Sequence, residues 1–322
     1  MIITVTLNPS LDLTYALRES AVGEVDVHRA RTATLEASGK GVNVSLTLRR
    51  AGTPTVAVLP LAGPTGRHVS DLLTKEEVEH VVVPLEGQTR INTSVVVPGG
   101  QTTKVNGPGP MVGAEELTLL TRRLREVVDA VDHEGEHWVA LCGSFPPGVE
   151  EGLVTEVVRT ARERGLRCAV DVAGPPLAQA LTDGADLLAP NAEELGALVP
   201  DGLDHRDPGA VVSAAHHLAR ASGTSFLVSL GAEGALYADG AVTLHGTGPA
   251  LTPVNTAGAG DALLAGWLTQ PGEPTARLRR ALAYGRSACL SPLTVDRTPG
   301  RNAADGLTVA TLSASPRQRK NR

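Results

Sequence analysis

Short runs of apolar and β-branched residues alternate with segments of helical periodicity through most of this chain. Leu117, Leu120 and Leu124 repeat on one helical face, and the apolar run 138–142 follows them. The same succession recurs further along, where another helical stripe leads into the apolar run 168–172. Uniformly apolar strands are typical of parallel sheets that are buried on both faces. The alternation therefore predicts an α/β fold with a mostly parallel central sheet covered by helices.

Two regions, roughly 11–37 and 89–107, do not follow this alternation. The second contains the turn-forming residues 98–100 between two strand-like runs, which predicts a hairpin. We expect both regions to form a small β-sheet that projects from the main sheet. Such a sheet can act as a lid that keeps water out of a pocket, and an edge hairpin without motion is the alternative.

Length and composition limit the classes of protein. The 322 residues show no obvious interdomain linker, so we expect one domain over 1–310, followed by a disordered tail at 311–322. Only 2% of the residues are aromatic and the net charge is -6, which disfavours a nucleic-acid partner.

The cysteines and the N-terminal residues indicate the compartment. Cys142, Cys168 and Cys289 lie in apolar surroundings without the spacing of metal ligands, as is typical of a reducing compartment. The N-terminal residues lack the features of a secretion signal, and no apolar run reaches about 18 residues. We expect a cytoplasmic protein without a membrane partner.

A glycine-rich turn near the C-terminal end carries the strongest chemical signal. Gly258, Ala259 and Gly260 precede Asp261 and an apolar helical segment. Successive amides of such a turn can converge on phosphate oxygens at the positive end of a helix. A carboxylate beside them can accept the proton of an attacking hydroxyl. We predict an anion hole at 258–260 and a general base at Asp261, with an ordinary helix cap by the aspartate as the alternative.

A second glycine-rich segment, 37–45, lies far from the first in the chain. Together the two segments resemble the paired signatures of the ribokinase-like sugar kinases of the phosphofructokinase B family. Further segments that match this family occur in its order, namely 6–12, 90–92, 106–110, 143–148 and 190–195. The resemblance spans about residues 1–300 and is strongest to the 1-phosphofructokinase and tagatose-6-phosphate kinase branch.

The resemblance implies a ribokinase-like, three-layer α/β/α fold and an ATP-dependent, Mg²⁺-requiring kinase. The expected acceptor is a ketohexose monophosphate, with fructose 1-phosphate converted to fructose 1,6-bisphosphate. Tagatose 6-phosphate, fructose 6-phosphate and an unphosphorylated sugar or nucleoside are alternative acceptors. A weakly active sugar-phosphate-binding homologue and a homodimer formed through the lid also remain open.

The resemblance implies roles for residues on the acceptor side of the site. Asp12 would orient sugar hydroxyls, and Arg90 would bind the phosphate already present on the sugar, with Arg29 as an assistant. The other residues implied to bind the acceptor are Gly39, Lys40, Asn43 and Ser144.

On the donor side, Asn191 and Glu194 resemble the family's Asn-x-x-Glu motif. They would organise Mg²⁺ near the nucleotide phosphates, with Glu194 acting through water, and a helix capping box is the alternative. The residues implied to bind the nucleotide are Asn191, Ser229, Gly231 and Gly234.

Three residues depart from the family pattern. Ser38 replaces a glycine, Lys104 stands where this branch often has an acidic residue, and Ala189 stands where a lysine commonly precedes Pro-Asn. Loss of one electrostatic contact costs about 2 to 4 kcal/mol of transition-state stabilisation when nothing compensates. We therefore expect either a reduced rate or an altered substrate.

Overall fold

The computed structural model describes residues 1–312 except 19, 20, 24, 100, 101, 133, 201 and 302. A ten-stranded sheet forms its centre. The strands, in spatial order, are β14 (Thr308–Thr311), β13 (Thr243–Thr247), β12 (Ala235–Ala238), β11 (Ser225–Ser229), β10 (Leu187–Leu188), β9 (Arg167–Asp171), β8 (Trp138–Cys142), β1 (Ile2–Thr6), β4 (Thr55–Ala62) and β5 (Glu79–Leu85). Neighbouring strands from β5 to β11 are parallel, and β12 to β14 add antiparallel pairs at one edge.

Helices cover both faces of this sheet. One face packs against α1 (Lys40–Arg50), α8 (Ala259–Leu268) and α9 (Pro274–Leu290). The other packs against α3 (Ala114–Asp129), α4 (Gly152–Glu163), α5 (Pro175–Thr182), α6 (Ala192–Gly196) and α7 (Pro208–Ser222). The predicted three-layer α/β/α architecture is confirmed.

The β8 strand shows why its sequence is apolar at every position. Val139 and Leu141 belong to one hydrophobic core, whereas Ala140 and Cys142 belong to the other. Successive side chains of a strand point to opposite faces, and here each face is covered by helices. The predicted strand at 138–142 is therefore confirmed with its exact bounds.

The β10 strand is shorter than its apolar run suggests. Residues 186–189 are predicted as a strand, but β10 contains only Leu187 and Leu188. Pro190 has no amide hydrogen to donate to the ladder, and beyond it the chain contacts β11 only through an isolated parallel bridge between Asn191 and Ser229 before α6 begins.

A second, four-stranded sheet projects from the first. It consists of β3 (Thr32–Ser38), β2 (Ser10–Ala16), β6 (Arg90–Val96) and β7 (Thr102–Asn106) in that order. The hairpin predicted within 89–107 is the antiparallel pair β6 and β7, whereas β2 and β6 run parallel. The helix α2 (Gly63–Lys75) packs beneath this sheet.

The end of the chain is only partly described. Thr311 is the last residue of β14, and the Leu312 amide donates a hydrogen bond to the Thr243 carbonyl at 2.8 Å. Of the predicted tail at 311–322, residues 311 and 312 thus lie at the sheet edge, and 313–322 lie outside the described residues. Among the helices of the described part, none has the length and apolar character needed to cross a membrane.

Candidate active site

A cleft of about 870 Å³ lies between the small sheet and the carboxyl ends of the central strands. This edge of an open α/β sheet is the usual place for a ligand. The predicted site residues that line the cleft are Asp12, Gly39, Lys40, Asn43, Arg90, Asn191, Glu194, Ser229, Gly258, Gly260 and Asp261. The two glycine-rich segments, which are far apart in the sequence, therefore meet at one site.

Asp261 lies in the first turn of α8 and is only 7% exposed. The helix cap is Gly258, so the alternative in which the aspartate caps the helix does not hold. The Asp261 carboxylate instead accepts a hydrogen bond of 2.8 Å from the Asn43 side-chain amide. Ser38 donates to the oxygen of the same amide at 3.5 Å, which orients the Asn43 nitrogen towards Asp261.

An ion pair whose carboxylate is buried and whose ammonium is partly exposed lies beside Asp261. The Lys40 ammonium contacts the Asp171 carboxylate at 2.8 Å, and the Asp171 side chain is only 6% exposed. Burial lowers the pKa of Lys40, but the attraction of Asp171 outweighs it, so the pKa is raised and the lysine stays charged.

The surroundings of Asp261 raise the pKa of its carboxyl group. Burial, followed by repulsion from Asp171, raises the pKa of Asp261 to about 7, while the Asn43 hydrogen bond and the Lys40 charge oppose this rise. A general base is most effective when its pKa lies near the working pH. The geometry and the charges therefore favour Asp261 as a proton acceptor.

The start of α8 provides free amides. The first hydrogen bond within the helix runs from the Ala262 amide to the Gly258 carbonyl, which leaves the amides of Gly260 and Asp261 without an acceptor in α8. Gly258 and Gly260 line the cleft, whereas Ala259, the first residue of α8, does not. The positive end of the helix and these amides together suit an anion.

Gly258 and Gly260 differ in what a side chain would meet, which yields a prediction. Gly258 has a φ of 77°, and an added Cβ would lie 2.3 Å from the Thr294 carbonyl oxygen. At Gly260 an added Cβ would meet no atom within 4 Å. We expect Gly258→Ala to lower the free energy of unfolding by about 1 to 3 kcal/mol, and Gly260→Ala to leave it unchanged or raise it slightly. Urea unfolding of both variants tests this, and equal stabilities would contradict it.

Asn191 and Glu194 form the capping box of α6. The Asn191 side-chain oxygen accepts from the Glu194 main-chain amide at 2.8 Å, and the Glu194 carboxylate accepts from the Asn191 main-chain amide at 2.9 Å. The structural alternative raised by the sequence is therefore present, yet both side chains also line the cleft.

Asp12 and Arg90 lie on adjacent strands of the small sheet. One Asp12 oxygen accepts hydrogen bonds from Ser10 at 2.7 Å and from Asn92 at 2.9 Å. Those bonds fix the carboxylate and leave its other oxygen for a ligand. Arg90 donates to the Gly107 carbonyl at 3.3 Å, whereas its Nε is buried without a hydrogen-bond partner among the described residues. A buried, unpaired guanidinium nitrogen suits an incoming anion.

The cleft does not include every predicted residue. Ser144 accepts a hydrogen bond of 3.4 Å from Asn8 and does not line it. Gly231 and Gly234 also lie outside its lining, because they belong to the turn between β11 and β12, where Gly234 adopts a φ of 92° against the Gly246 carbonyl. Arg29 is exposed and lies outside the lining as well.

Two acidic residues of the cleft were not predicted from the sequence. Asp171 ends β9 and contacts Lys40, and Glu36 lies on β3 next to Asp12. Asp171 directly follows the buried run 168–170, so its place at the carboxyl end of a predicted parallel strand could have identified it. Glu36 does not follow a buried apolar run, so no comparable pattern indicates it.

Comparisons with known proteins identify the family of the chain. The pfkB family of carbohydrate kinases matches residues 5–296. The chain is 34% identical to 1-phosphofructokinase of Rhodobacter capsulatus, covering 98% of each protein. It is 31% identical to ATP-dependent 6-phosphofructokinase isozyme 2 of Escherichia coli strain K12, covering 89% of this chain and 90% of that protein.

A solved structure of a phosphofructokinase has a similar fold. The tetrameric inhibited form of E. coli phosphofructokinase-2 superimposes with a TM-score of 0.84 at 29% identity, covering 94% of this chain and 97% of that one. The chain belongs to the pfkB family of carbohydrate kinases, which confirms the resemblance in its sequence. It is a carbohydrate kinase.

Proposed function

We propose that the protein transfers the γ-phosphoryl group of ATP to fructose 1-phosphate and forms fructose 1,6-bisphosphate. The observation that carries this proposal is the single cleft in which the Asp261 carboxylate lies at the free amides of α8 and opposite the wall that holds Asp12 and Arg90. The similarity to the Rhodobacter capsulatus 1-phosphofructokinase supports the choice of acceptor.

The small sheet positions the acceptor. The free oxygen of Asp12 accepts hydrogen bonds from sugar hydroxyls, while Arg90 binds the phosphate that the sugar already carries. Lys40 stays charged next to Asp171 and adds a cation between the acceptor and the donor. Holding the acceptor in this way converts an encounter in solution into a reaction between fixed partners.

The proton leaves as the phosphoryl group is transferred. The acceptor hydroxyl oxygen forms the new bond to phosphorus, the bond from that phosphorus to the departing ADP oxygen breaks, and Asp261 takes the hydroxyl proton. The Gly260 and Asp261 amides donate hydrogen bonds to the transferring group, on which negative charge concentrates. The lid role of the small sheet, which would exclude water during this step, is part of the same proposal.

The residues at the nucleotide end fit Mg²⁺ that is bound mainly through phosphates and water. Asn191 and Glu194 supply oxygen ligands, and the described residues hold no cluster of three or more His, Cys, Asp or Glu side chains suited to a metal. Mg²⁺ commonly keeps several waters and uses one or two carboxylates. When bound, it neutralises charge on the donor phosphates. The closeness of Ser229 to the cleft supports its role at the nucleotide.

A substrate panel tests the proposal. ADP release is measured with fructose 1-phosphate, fructose 6-phosphate, tagatose 6-phosphate and fructose. We expect the highest kcat/KM with fructose 1-phosphate. A higher kcat/KM with one of the other sugar phosphates would make that phosphate the preferred acceptor. Binding without turnover would indicate a weakly active binding protein.

Arg90 distinguishes phosphorylated from unphosphorylated acceptors. We expect Arg90→Ala to raise the KM for fructose 1-phosphate by about tenfold or more, because a charge-assisted hydrogen bond contributes about 1.5 to 3 kcal/mol. Steady-state kinetics of the variant check this. A KM that is unchanged for the best substrate would favour a kinase for an unphosphorylated sugar.

We also propose that the protein forms a homodimer through the small sheet and works in the cytoplasm. The face of the sheet that points away from the cleft exposes Leu35, Ile91 and Val105, at 45%, 46% and 66%. Clustered exposed apolar side chains are typical of an interaction surface. Sedimentation equilibrium tests the dimer, and a monomer at micromolar concentration would contradict it.

A further inference from the structure

A chain of two hydrogen bonds links the small sheet to the proposed base. Ser38 ends β3, and its hydroxyl donates to the side-chain oxygen of Asn43 on α1 at 3.5 Å. The nitrogen of the same amide donates to one oxygen of the Asp261 carboxylate on α8 at 2.8 Å. All three residues are buried and line the cleft. Ser38 itself takes no part in the chemical step.

The Asn43 amide needs two contacts to keep a fixed orientation. Its main chain is held in α1, because its N–H donates to the Gly39 carbonyl at 2.8 Å and its carbonyl accepts from the Thr47 hydroxyl at 2.8 Å. The last torsion of an asparagine side chain has broad minima, so the amide plane can rotate although the main chain is fixed. The bond to Asp261 holds the nitrogen end of the amide, and the bond from Ser38 holds the oxygen end. Together the two bonds fix the plane.

A glycine at position 38, as in the family pattern, would remove one of these contacts. Glycine has no hydroxyl, so the buried oxygen of Asn43 would lose its donor. A buried acceptor without its donor is unfavourable, and the amide would gain by rotating towards another partner. Rotation of the amide would take its nitrogen away from the Asp261 carboxylate.

We propose that Ser38 is a positioning residue for Asp261. Acting through the Asn43 amide, its hydroxyl holds one carboxylate oxygen in place and leaves the other oxygen for the proton of the acceptor. The serine that departs from the family pattern thus supports the base instead of weakening the enzyme. Catalytic hydrogen bonds are often long before the substrate binds, and we expect the contact of 3.5 Å to shorten in the complex. This inference rests on the proposed role of Asp261 as the base.

The orientation of this amide affects how tightly Asp261 holds a proton. A hydrogen bond to a carboxylate favours the charged form, so the Asn43 bond lowers the pKa of Asp261 against the effects of burial and of the nearby Asp171. The titratable groups around this cluster lie on α1, β8, β9 and α6 and are Lys40, Cys142, Asp171 and Glu194. A substitution of Ser38 changes none of them, so a shift in the titration of Asp261 reports the amide.

The pH dependence of the rate tests this role. We expect Ser38→Ala to raise the midpoint of the kcat profile by about 0.5 pH unit, because one neutral hydrogen bond is lost one step away from the carboxylate. At pH 6.5 kcat then falls about two- to threefold, whereas KM and the kcat at pH 9 stay within about twofold of the wild type. Ser38→Gly should behave like Ser38→Ala, and Ser38→Thr, which keeps the hydroxyl, should restore the wild-type midpoint.

Two controls show that the shift arises from the amide. Ser213→Ala removes an exposed hydroxyl on α7 and should leave the midpoint unchanged, while a folding defect would lower the rate at every pH without moving the midpoint. In an Asn43→Ala background, Ser38→Ala should add no further shift, since the group that joins Ser38 to Asp261 is gone. An unshifted midpoint in Ser38→Ala, or an equal shift with and without Asn43, would overturn the inference.

The carboxyl titration of Asp261 separates this inference from the proposed function. In ¹³C NMR of the whole protein labelled at the aspartate carboxyl carbons, Asp261→Asn identifies the resonance, and no substrate is needed. We expect Ser38→Ala to raise the pKa of Asp261 by about 0.5 unit. If this shift is present but the wild type phosphorylates no ketohexose phosphate, the proposed function is wrong and the positioning role stands. If fructose 1-phosphate is phosphorylated but neither titration moves, the positioning role is wrong and the function stands.

Discussion

Asp261→Asn lowers kcat for fructose 1-phosphate by about 10³-fold and leaves KM within about threefold of the wild type. The substitution keeps the shape of the side chain but removes the group that accepts the hydroxyl proton, and proton transfer by a positioned side chain is worth about 10² to 10⁴ in rate. KM changes little because sugar binding rests on Asp12 and Arg90, on the opposite wall. Steady-state ADP release measures both constants. Turnover near the wild-type rate would show that another group is the base.

A matched substitution and a stability measurement serve as controls for that result. Asp71→Asn makes the same change at an exposed position of α2 and should leave kcat unchanged. The pKa of Asp261 is about 7 in the folded protein and near 3.9 in an unfolded chain, so the folded state binds the proton more tightly. The stability linked to this proton is lost as the pH rises towards 7. Asp261→Asn should therefore have a higher Tm than the wild type at pH 8, and a smaller advantage at pH 5.

Lys40→Met lowers kcat/KM at pH 7 by about 10²-fold and moves the acidic limb of the pH profile to higher pH. The active form of Asp261 is the carboxylate, so wild-type activity should rise with pH through a midpoint near 7. Without Lys40, Asp261 loses a neighbouring cation and the Asp171 carboxylate is no longer neutralised. Both changes raise the pKa of Asp261 further, and loss of a preorganised charge typically costs 10² to 10³ in rate.

Lys40→Arg is the control for the charge. It keeps a cation beside Asp171, so its midpoint should lie closer to that of the wild type than the midpoint of Lys40→Met. A Lys40→Met profile with an unshifted midpoint would show that the ion pair does not influence the base. Rates measured from pH 5.5 to 9 at saturating ATP distinguish these results.

The layered fold could be predicted because a strand that is buried on both faces is apolar at every position. The run 138–142 is apolar at each position since alternate side chains enter different cores, and the helical stripe around Leu120 and Leu124 fits one of those cores. The short β10 strand was less predictable. Pro190 has no amide hydrogen and interrupts the ladder, so that only an isolated bridge between Asn191 and Ser229 continues the pairing beyond it.

Local motifs predicted the two glycine-rich segments of the site, but they did not predict the ion pair beside Asp261. Gly258 has a positive φ and lies so close to the Thr294 carbonyl that a side chain would clash there, and such glycines are visible in sequence. The Lys40–Asp171 ion pair joins residues 131 positions apart, and no local pattern indicates it. Gly234 lies in the β11–β12 turn and not in the cleft lining, so its role at the nucleotide stays a prediction.

The small sheet shows why face assignment matters for function. Its cleft-facing row with Lys104 and its exposed apolar residues, such as Val105, alternate along a single strand. The strand pattern could be predicted from β-branched residues and turns, but the sequence alone did not show which face meets the cleft. Only the pairing register places Lys104 beside Ser94 and Thr14.

A crystal structure of the protein with fructose 1-phosphate and a non-hydrolysable ATP analogue is the most direct test of the account. We expect the free terminal hydroxyl of the sugar to lie within hydrogen-bond distance of the Asp261 carboxylate and to face the terminal phosphate at the Gly260 amide. The sugar phosphate should lie against Arg90. A sugar bound with that hydroxyl turned away from Asp261, or outside the cleft between the two sheets, would contradict it.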